Sequence, residues 1–181
     1  MTGKRLTVKG SIVLLVWLLL TPQVQAQQTP ESRARRFIVG ADIGVQGGTA
    51  DGTAFALGLS GDYFVTHNVS VGPLLQFGIT NDLFQIAPTL QVKYTLDLPG
   101  NPNVTLHFQG GIGFIHADLD RRGAPSVDDT SYLIPVGLGV EFKVDRNISI
   151  GSTLLFNFTD LDDIPDDDSF ISWLTGLRIR F

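Results

Sequence analysis

The sequence predicts an all-β protein, an eight-stranded antiparallel transmembrane up-and-down β-barrel. Three observations predict it: an export-signal layout at the N-terminus, eight stretches that alternate apolar and other residues with a period of two, and a concentration of glycine and ionic residues on the face opposite the apolar one.

Lys4, Arg5 and Lys9 precede the apolar run from Ile12 to Leu20, and Val24-Gln25-Ala26 follows it. This is the three-part layout of a secretory signal, with cleavage expected after Ala26, so that residues 1–26 form the signal peptide. The run is about half the ~20 residues that a spanning helix needs, which argues against a retained anchor. Residues 27–36, QQTPESRARR, are polar and aperiodic and read as a flexible lead-in. Residues 37–181 have the length of one domain.

The strands follow in order. Outward positions, taken in steps of two, run from Phe37 to Val45, from Phe55 to Val65, from Val69 to Ile79 and from Phe84 to Leu96. In the fifth stretch Val104, Leu106, Phe108, Ile112 and Phe114 oppose Thr105, His107, Gln109, Gly111 and Gly113. In the sixth, Ile134, Val136, Leu138, Val140, Phe142 and Val144 oppose Gly137, Gly139, Glu141 and Lys143. In the seventh, Ile148, Ile150, Leu154, Phe156 and Phe158 oppose Asn147, Ser149, Gly151, Thr153 and Asn157. The eighth sets Ile171, Trp173, Leu177, Ile179 and Phe181 against Ser172, Gly176, Arg178 and Arg180. No stretch shows an amphipathic 3.6 period.

A water-soluble sandwich would alternate too. Two features favour the inverted arrangement, with the apolar face toward lipid. The polar face holds Gly40, Gly44, Gly58, Gly72, Gly78, Gly111, Gly113, Gly137, Gly139, Gly151 and Gly176, which suits a crowded interior. The apolar positions also persist for five or six alternations, the ~10 residues that a tilted strand needs to cross a bilayer. Backbone groups in lipid must all be paired, so the sheet must close.

Connections alternate in length. Thr66-His67-Asn68, Leu98 to Asn103 and Asp145-Arg146-Asn147 are tight joints, expected on the periplasmic side, and each leads into a related phrase beginning at Asn68, Asn103 or Asn147. The others, near 47–53, 80–83, 118–130 and 159–168, are expected outside the cell. Phe37, Tyr63, Tyr94, Phe142 and Phe181 fall toward the periplasmic ends, and Phe55, Phe84, Phe114, Tyr132 and Trp173 toward the outer ends, as interface girdles require.

Over residues 37–181 this pattern resembles the small outer-membrane β-barrel family of OmpA/OmpX type. The most specific element is the last strand, SWLTGLRIRF, closing on Phe181. The resemblance implies residence in the bacterial outer membrane and a terminal strand read by the barrel-assembly machinery through Trp173, Leu177, Ile179 and Phe181. Unlike the family's two-domain members, the chain is expected to lack a peptidoglycan-binding tail.

Of the chain's 13 Lys and Arg, the signal takes three (Lys4, Arg5, Lys9), leaving ten against 18 Asp and Glu, a formal charge of −8. Nucleic acid is therefore not an expected partner; outer-membrane lipid is. The absence of cysteine excludes disulfides, thiolate metal sites and a thiol nucleophile. Inward ionic positions are Asp42, Asp62, Lys93, Asp97, Glu141, Lys143, Arg178 and Arg180, and an eight-stranded lumen is narrow enough that these charges pair and plug it. Inward Ile38, Phe64, Leu74, Leu133, Leu155 and Leu174 break the alternation, either packing the lumen or lining a small apolar cavity.

Twelve of the acids fall in the outer loops: Asp51, Asp82, Asp118, Asp120, Asp128, Asp129, Asp160, Asp162, Asp163, Asp166, Asp167 and Asp168. They form a solvated acidic rim open to divalent cations, without the Gly and closing Glu of a calcium-loop motif. Arg121 and Arg122 offer contacts to lipid phosphates. A hydroxyl activated by His116, with Asp118 and Ser131 near in sequence, is the one catalytic arrangement to test, and no nucleophile-elbow motif accompanies it. His67 and His107 are too dispersed for a metal site, and the Asn-x-Ser/Thr matches follow from strand composition. No cofactor is expected. The sequence reads as a non-enzymatic barrel with a structural or cell-surface role; a narrow channel or carrier for small solutes is second, and a lipid-modifying enzyme third.

Overall fold

The computed structural model describes residues 33–49, 51–120, 126–161 and 168–181. The expected signal peptide lies outside them, as do Arg121, Arg122, Asp162, Asp163, Asp166 and Asp167. Eight strands follow one another: β1 (Phe37–Thr49), β2 (Gly52–Phe64), β3 (Val69–Ile79), β4 (Leu83–Leu98), β5 (Asn101–Leu119), β6 (Val127–Lys143), β7 (Ile148–Phe158) and β8 (Ser169–Arg180). Each pairs antiparallel with the next, and β8 returns to β1, so the sheet closes.

Register fixes the shape of the cylinder. Phe37 pairs with Tyr63, Tyr63 with Val71, Val71 with Val92 and Val92 with Gly110. Gly110 pairs with Val136, Val136 with Phe156, Phe156 with Ile171, and Ile171 with Gly47. The circuit regains β1 ten residues beyond its start, a shear of ten over eight strands. At ~3.3 Å per residue and ~4.8 Å between strands, that stagger leans the strands about 40° from the axis. Even the 11-residue β3 and β7 then rise about 28 Å, enough for the ~25 Å apolar band of an outer-membrane barrel.

The two faces are inverted relative to a soluble protein. Outward Leu59, Leu90, Ile112, Phe114 and Trp173 are each more than half exposed, whereas inward Gln76, Gln91, Asn157 and Ser172 are fully enclosed. Among the described residues no helix is long and apolar enough to cross a membrane; the strands make the crossing.

At the barrel end that carries Phe37 and Phe181, the end expected to face the periplasm and called periplasmic on that basis, two of the three joints share one construction. Val65 and Thr66 both donate backbone N–H groups to the Val69 carbonyl, and Val144 and Asp145 do the same to Ile148. The Thr66 hydroxyl accepts from the Val69 N–H at 3.0 Å, and the Asn68 side-chain amide donates to the Thr95 carbonyl at 2.7 Å. The Asn147 carbonyl accepts from Arg180 N–H. Thus Asn68 through its side chain and Asn147 through its backbone carbonyl tie each turn to the strand beyond the one it opens, β4 and β8. The third joint is tighter than expected: β4 and β5 pair up to Leu98 and Asn101, with Gly100 at φ 86° making the reversal.

The third outer connection is also shorter than the expected 118–130. Asp118 pairs with Asp128 and Leu119 with Val127, because the inward side of this hairpin remains apolar and keeps packing beyond the membrane band. Trp173 differs as well. It sits mid-strand opposite Val45 and Leu154, inside the outer aromatic girdle.

Candidate functional site in the barrel lumen

The periplasmic half of the lumen is ionic. Arg178 on β8 donates to Asp42 on β1 at 2.5 Å, across the seam that closes the barrel. Gly40 faces Arg178 across this seam, and a Cβ there would lie 2.9 Å from Arg178 Cδ, so glycine gives the guanidinium its room. Lys93 on β4 reaches over β3 to Asp62 on β2 at 2.7 Å. Both pairs are buried. Lower down, Glu141 accepts from the Ser149 hydroxyl at 2.5 Å and from Arg180 at 3.4 Å. His107 meets the Thr153 hydroxyl at 3.2 Å.

Three of the expected inward acids are therefore paired with three of the expected bases. Lys143 and Asp97 differ because both stand at the mouth. Lys143 donates to the Pro102 carbonyl at 2.9 Å, while Asp97 accepts from Arg33 and meets His67. Arg33 belongs to the segment expected to be a flexible lead-in. Instead residues 33–36 form a turn: Arg35 N–H donates to Phe64, Phe64 N–H donates to Arg36, and Arg36 N–H donates to Arg33. The Arg33 side chain is 7% exposed. Leading from β1 under β2 toward β4, this segment straps part of the periplasmic opening. The Arg33 backbone N–H donates to His67 Nδ1, leaving Nε2–H to face Asp97.

Above the ions lies an amide layer. Gln109 donates to Gln91 at 2.7 Å, Gln91 to Thr89, Gln76 to Asn157, and Asn157 to Ser172 at 2.9 Å. Leu74, Leu155, Leu174 and Ala56 pack beside it. A cavity of about 10 Å³ between this layer and the ion pairs, touching Asp42, Ser60, Lys93 and Arg178, is the size of a single water.

The extracellular half is apolar. Leu83, Ala87, Ile115, Ala117, Leu119, Leu133, Leu161 and Phe170 form one buried cluster, with Val127 against it. The inward Ile38, Phe64, Leu74, Leu133, Leu155 and Leu174 are all buried and pack the lumen. Of the outer cluster only Leu133 is among the inward positions that the sequence alternation singles out, but the sequence carries a signal for the others. Leu83-Phe84, Phe114-Ile115, Leu133-Ile134 and Phe170-Ile171 are apolar doublets, and a doublet in a strand puts one residue toward lipid and one toward the lumen.

On the outer surface, the Trp173 indole N–H donates to Ser152 Oγ at 2.8 Å, and Ser152 meets Thr175 at 3.0 Å. His116 bonds Thr130 at 2.8 Å on that same surface, while Ser131, paired with Ile115, points into the lumen. The His–Ser–acid arrangement is therefore not assembled, because His116 and Ser131 occupy opposite faces of the sheet. Among the described residues no three acidic, histidine or cysteine groups converge as a metal site.

The family described as outer membrane protein beta-barrel domain is matched over residues 12–181. No match is found among curated protein sequences. Among solved structures, the chain is similar to Neisserial surface protein A, with TM-score 0.67 and 14% identity over 82% of this chain and 98% of that one. It is similar to the N-terminal β-barrel domain of Pseudomonas aeruginosa OprF, with TM-score 0.63 and 11% identity over 83% and 100%. OprG of the same organism gives TM-score 0.58 and 11% identity over 82% and 96%. At these identities the structural likenesses carry the fold. The chain belongs to the outer membrane protein beta-barrel domain family and is an integral barrel of OmpA/OmpX type in the bacterial outer membrane.

Proposed function

We propose that this barrel is a closed structural and cell-surface element of the outer membrane and not a conduit. One observation carries the reading: two unlike obstructions stand in series in the lumen. A solute entering from outside meets Ile115, Leu133 and Phe170, which offer it no hydrogen bond. One entering from the periplasm must part Arg178 from Asp42 and Lys93 from Asp62. The test is planar-bilayer conductance of the refolded protein, with folding checked by gel mobility. A silent bilayer is expected; discrete, reproducible openings would overturn the proposal in favour of a narrow channel.

The placement of His116 against Thr130 supports a non-enzymatic role. Lipid extracted from cells carrying His116→Ala should match wild type by mass spectrometry, and loss of a lipid modification would reverse the reading. For assembly, Trp173, Leu177 and Ile179 all project outward along β8, as a strand offered to the assembly machinery would present them. Truncating Phe181 should lower the inserted fraction; unchanged insertion would count against this. Divalent cations, if held by the acidic outer loops, are expected to be weakly bound and exchangeable. Chelation should then leave the folded barrel intact but lower its melting temperature slightly, and no shift at all would remove cations from the proposal.

A further inference from the structure

Charge is segregated along the barrel axis among the described residues. Among the described residues, the outer hairpin ends carry aspartates such as Asp51, Asp82, Asp118 and Asp128 and no Lys or Arg. The periplasmic rim is the reverse, with Arg33, Arg35, Arg36, Lys143, Arg146 and Arg180 against Asp97, Glu141 and Asp145. Part of this rim is turned inward and neutralised, by Arg33 with Asp97 and by Arg180 with Glu141. Arg35 and Arg146 are exposed, and neither enters an ion pair among the described residues.

Depth decides what these two arginines meet. Arg35 lies two residues before Phe37, and Arg146 lies in the turn that follows Phe142. Phe37 and Phe142 are exposed members of the periplasmic girdle, together with Tyr63 and Tyr94. Aromatic girdles sit at the membrane–water interface, so cations just beyond them stand at headgroup level. Arg35 carries a second indication. Its backbone lies at φ 67°, a left-handed conformation that glycine adopts without strain and arginine does not. The backbone alone would favour glycine there, so the arginine side chain needs a reason of its own.

We propose that the periplasmic rim binds the phosphate headgroups of anionic phospholipid in the inner leaflet, through Arg35 and Arg146. Guanidinium groups match phosphate oxygens in a forked geometry, and the attraction to an anionic surface acts only within about one Debye length, which the girdle position satisfies. This goes beyond the closed-barrel reading and does not depend on it.

The experiment uses the refolded protein in phosphatidylcholine bilayers with trace spin-labelled phosphatidylglycerol or phosphatidylcholine, and reads their relative association with the protein boundary. The expected preference for phosphatidylglycerol is roughly threefold at 0.15 M salt, falling to about one at 1 M. The double variant Arg35→Gly with Arg146→Gln should lose the preference while folding as wild type by gel mobility, since glycine suits the backbone at 35. The outer-end variant Asp118→Asn with Asp128→Asn should retain it. Equal association of both lipids with wild type overturns the proposal and turns the rim toward an acidic protein partner. A preference that survives in the double arginine variant overturns it as well.

Discussion

The two halves of the lumen are closed by different physics. The periplasmic half is held by Arg178–Asp42, Lys93–Asp62 and Arg180–Glu141, the extracellular half by Ile115, Leu133, Leu161, Phe170 and their neighbours. Buried ion pairs recover little beyond their own desolvation, yet one partner left alone is expensive. Buried apolar side chains stabilise in proportion to the area removed from water, and their loss is local. The contrast assigns different duties. Arg178–Asp42 bridges the β8–β1 seam and Lys93–Asp62 spans three strands, so the ionic half favours one closure and one register. The apolar half supplies net burial where the outer hairpins project beyond the membrane.

Arg178→Met separates the two halves most strongly. It strands the Asp42 carboxylate, which is 2% exposed, and should cost about 3–5 kcal/mol in urea unfolding from lipid vesicles. Adding Asp42→Leu should restore most of that loss, because the pair together is worth little over an apolar substitute. A single variant within ~1 kcal/mol of wild type would erase the distinction between the halves.

Leu133→Ala probes the other half. The side chain is fully enclosed, so a loss of about 2–4 kcal/mol is expected from transfer and cavity terms. No polar group is orphaned, so no partner deletion should rescue it. Its effect should add to that of Arg178→Met, which acts in a separate tier. Strong coupling between the two would mean that the tiers act as one unit.

How much of this could be read from the sequence follows the same division. The inward positions of Asp42, Asp62, Lys93, Glu141, Arg178 and Arg180 follow from parity once the glycine-rich polar face and the strand lengths have set which face is inside, because a period of two fixes the face of every residue once one is known. Which acid meets which base does not, since partners such as Lys93 and Asp62 lie on strands separated by a third and depend on the shear. The outer apolar cluster is partly hidden, because Leu119 falls where a loop is expected, and Ile115 and Ala117 lie beyond Phe114, the last residue of the fifth alternating stretch. Arg33 is invisible to periodicity altogether. Its place is set by one hydrogen-bonded turn under β2 and by the acid that happens to stand across the mouth.

Within the ionic half itself, depth separates two like ion pairs. Arg33–Asp97 is chemically like Arg178–Asp42, but the Asp97 side chain is 37% exposed and Asp42 is 2% exposed. Water replaces a lost partner at the mouth and cannot do so in the tier above. Asp97→Asn should therefore change global stability by no more than about 1 kcal/mol. Its consequence should be local: Arg33 loses its charged anchor, residues 33–36 open more often, and trypsin cleaves after Arg33, Arg35 or Arg36 faster than in wild type while the barrel stays folded. A large global loss would mean that the strap belongs to the sealing tier. Unchanged cleavage with unchanged stability would mean that the backbone bonds to Phe64 hold the turn without Arg33.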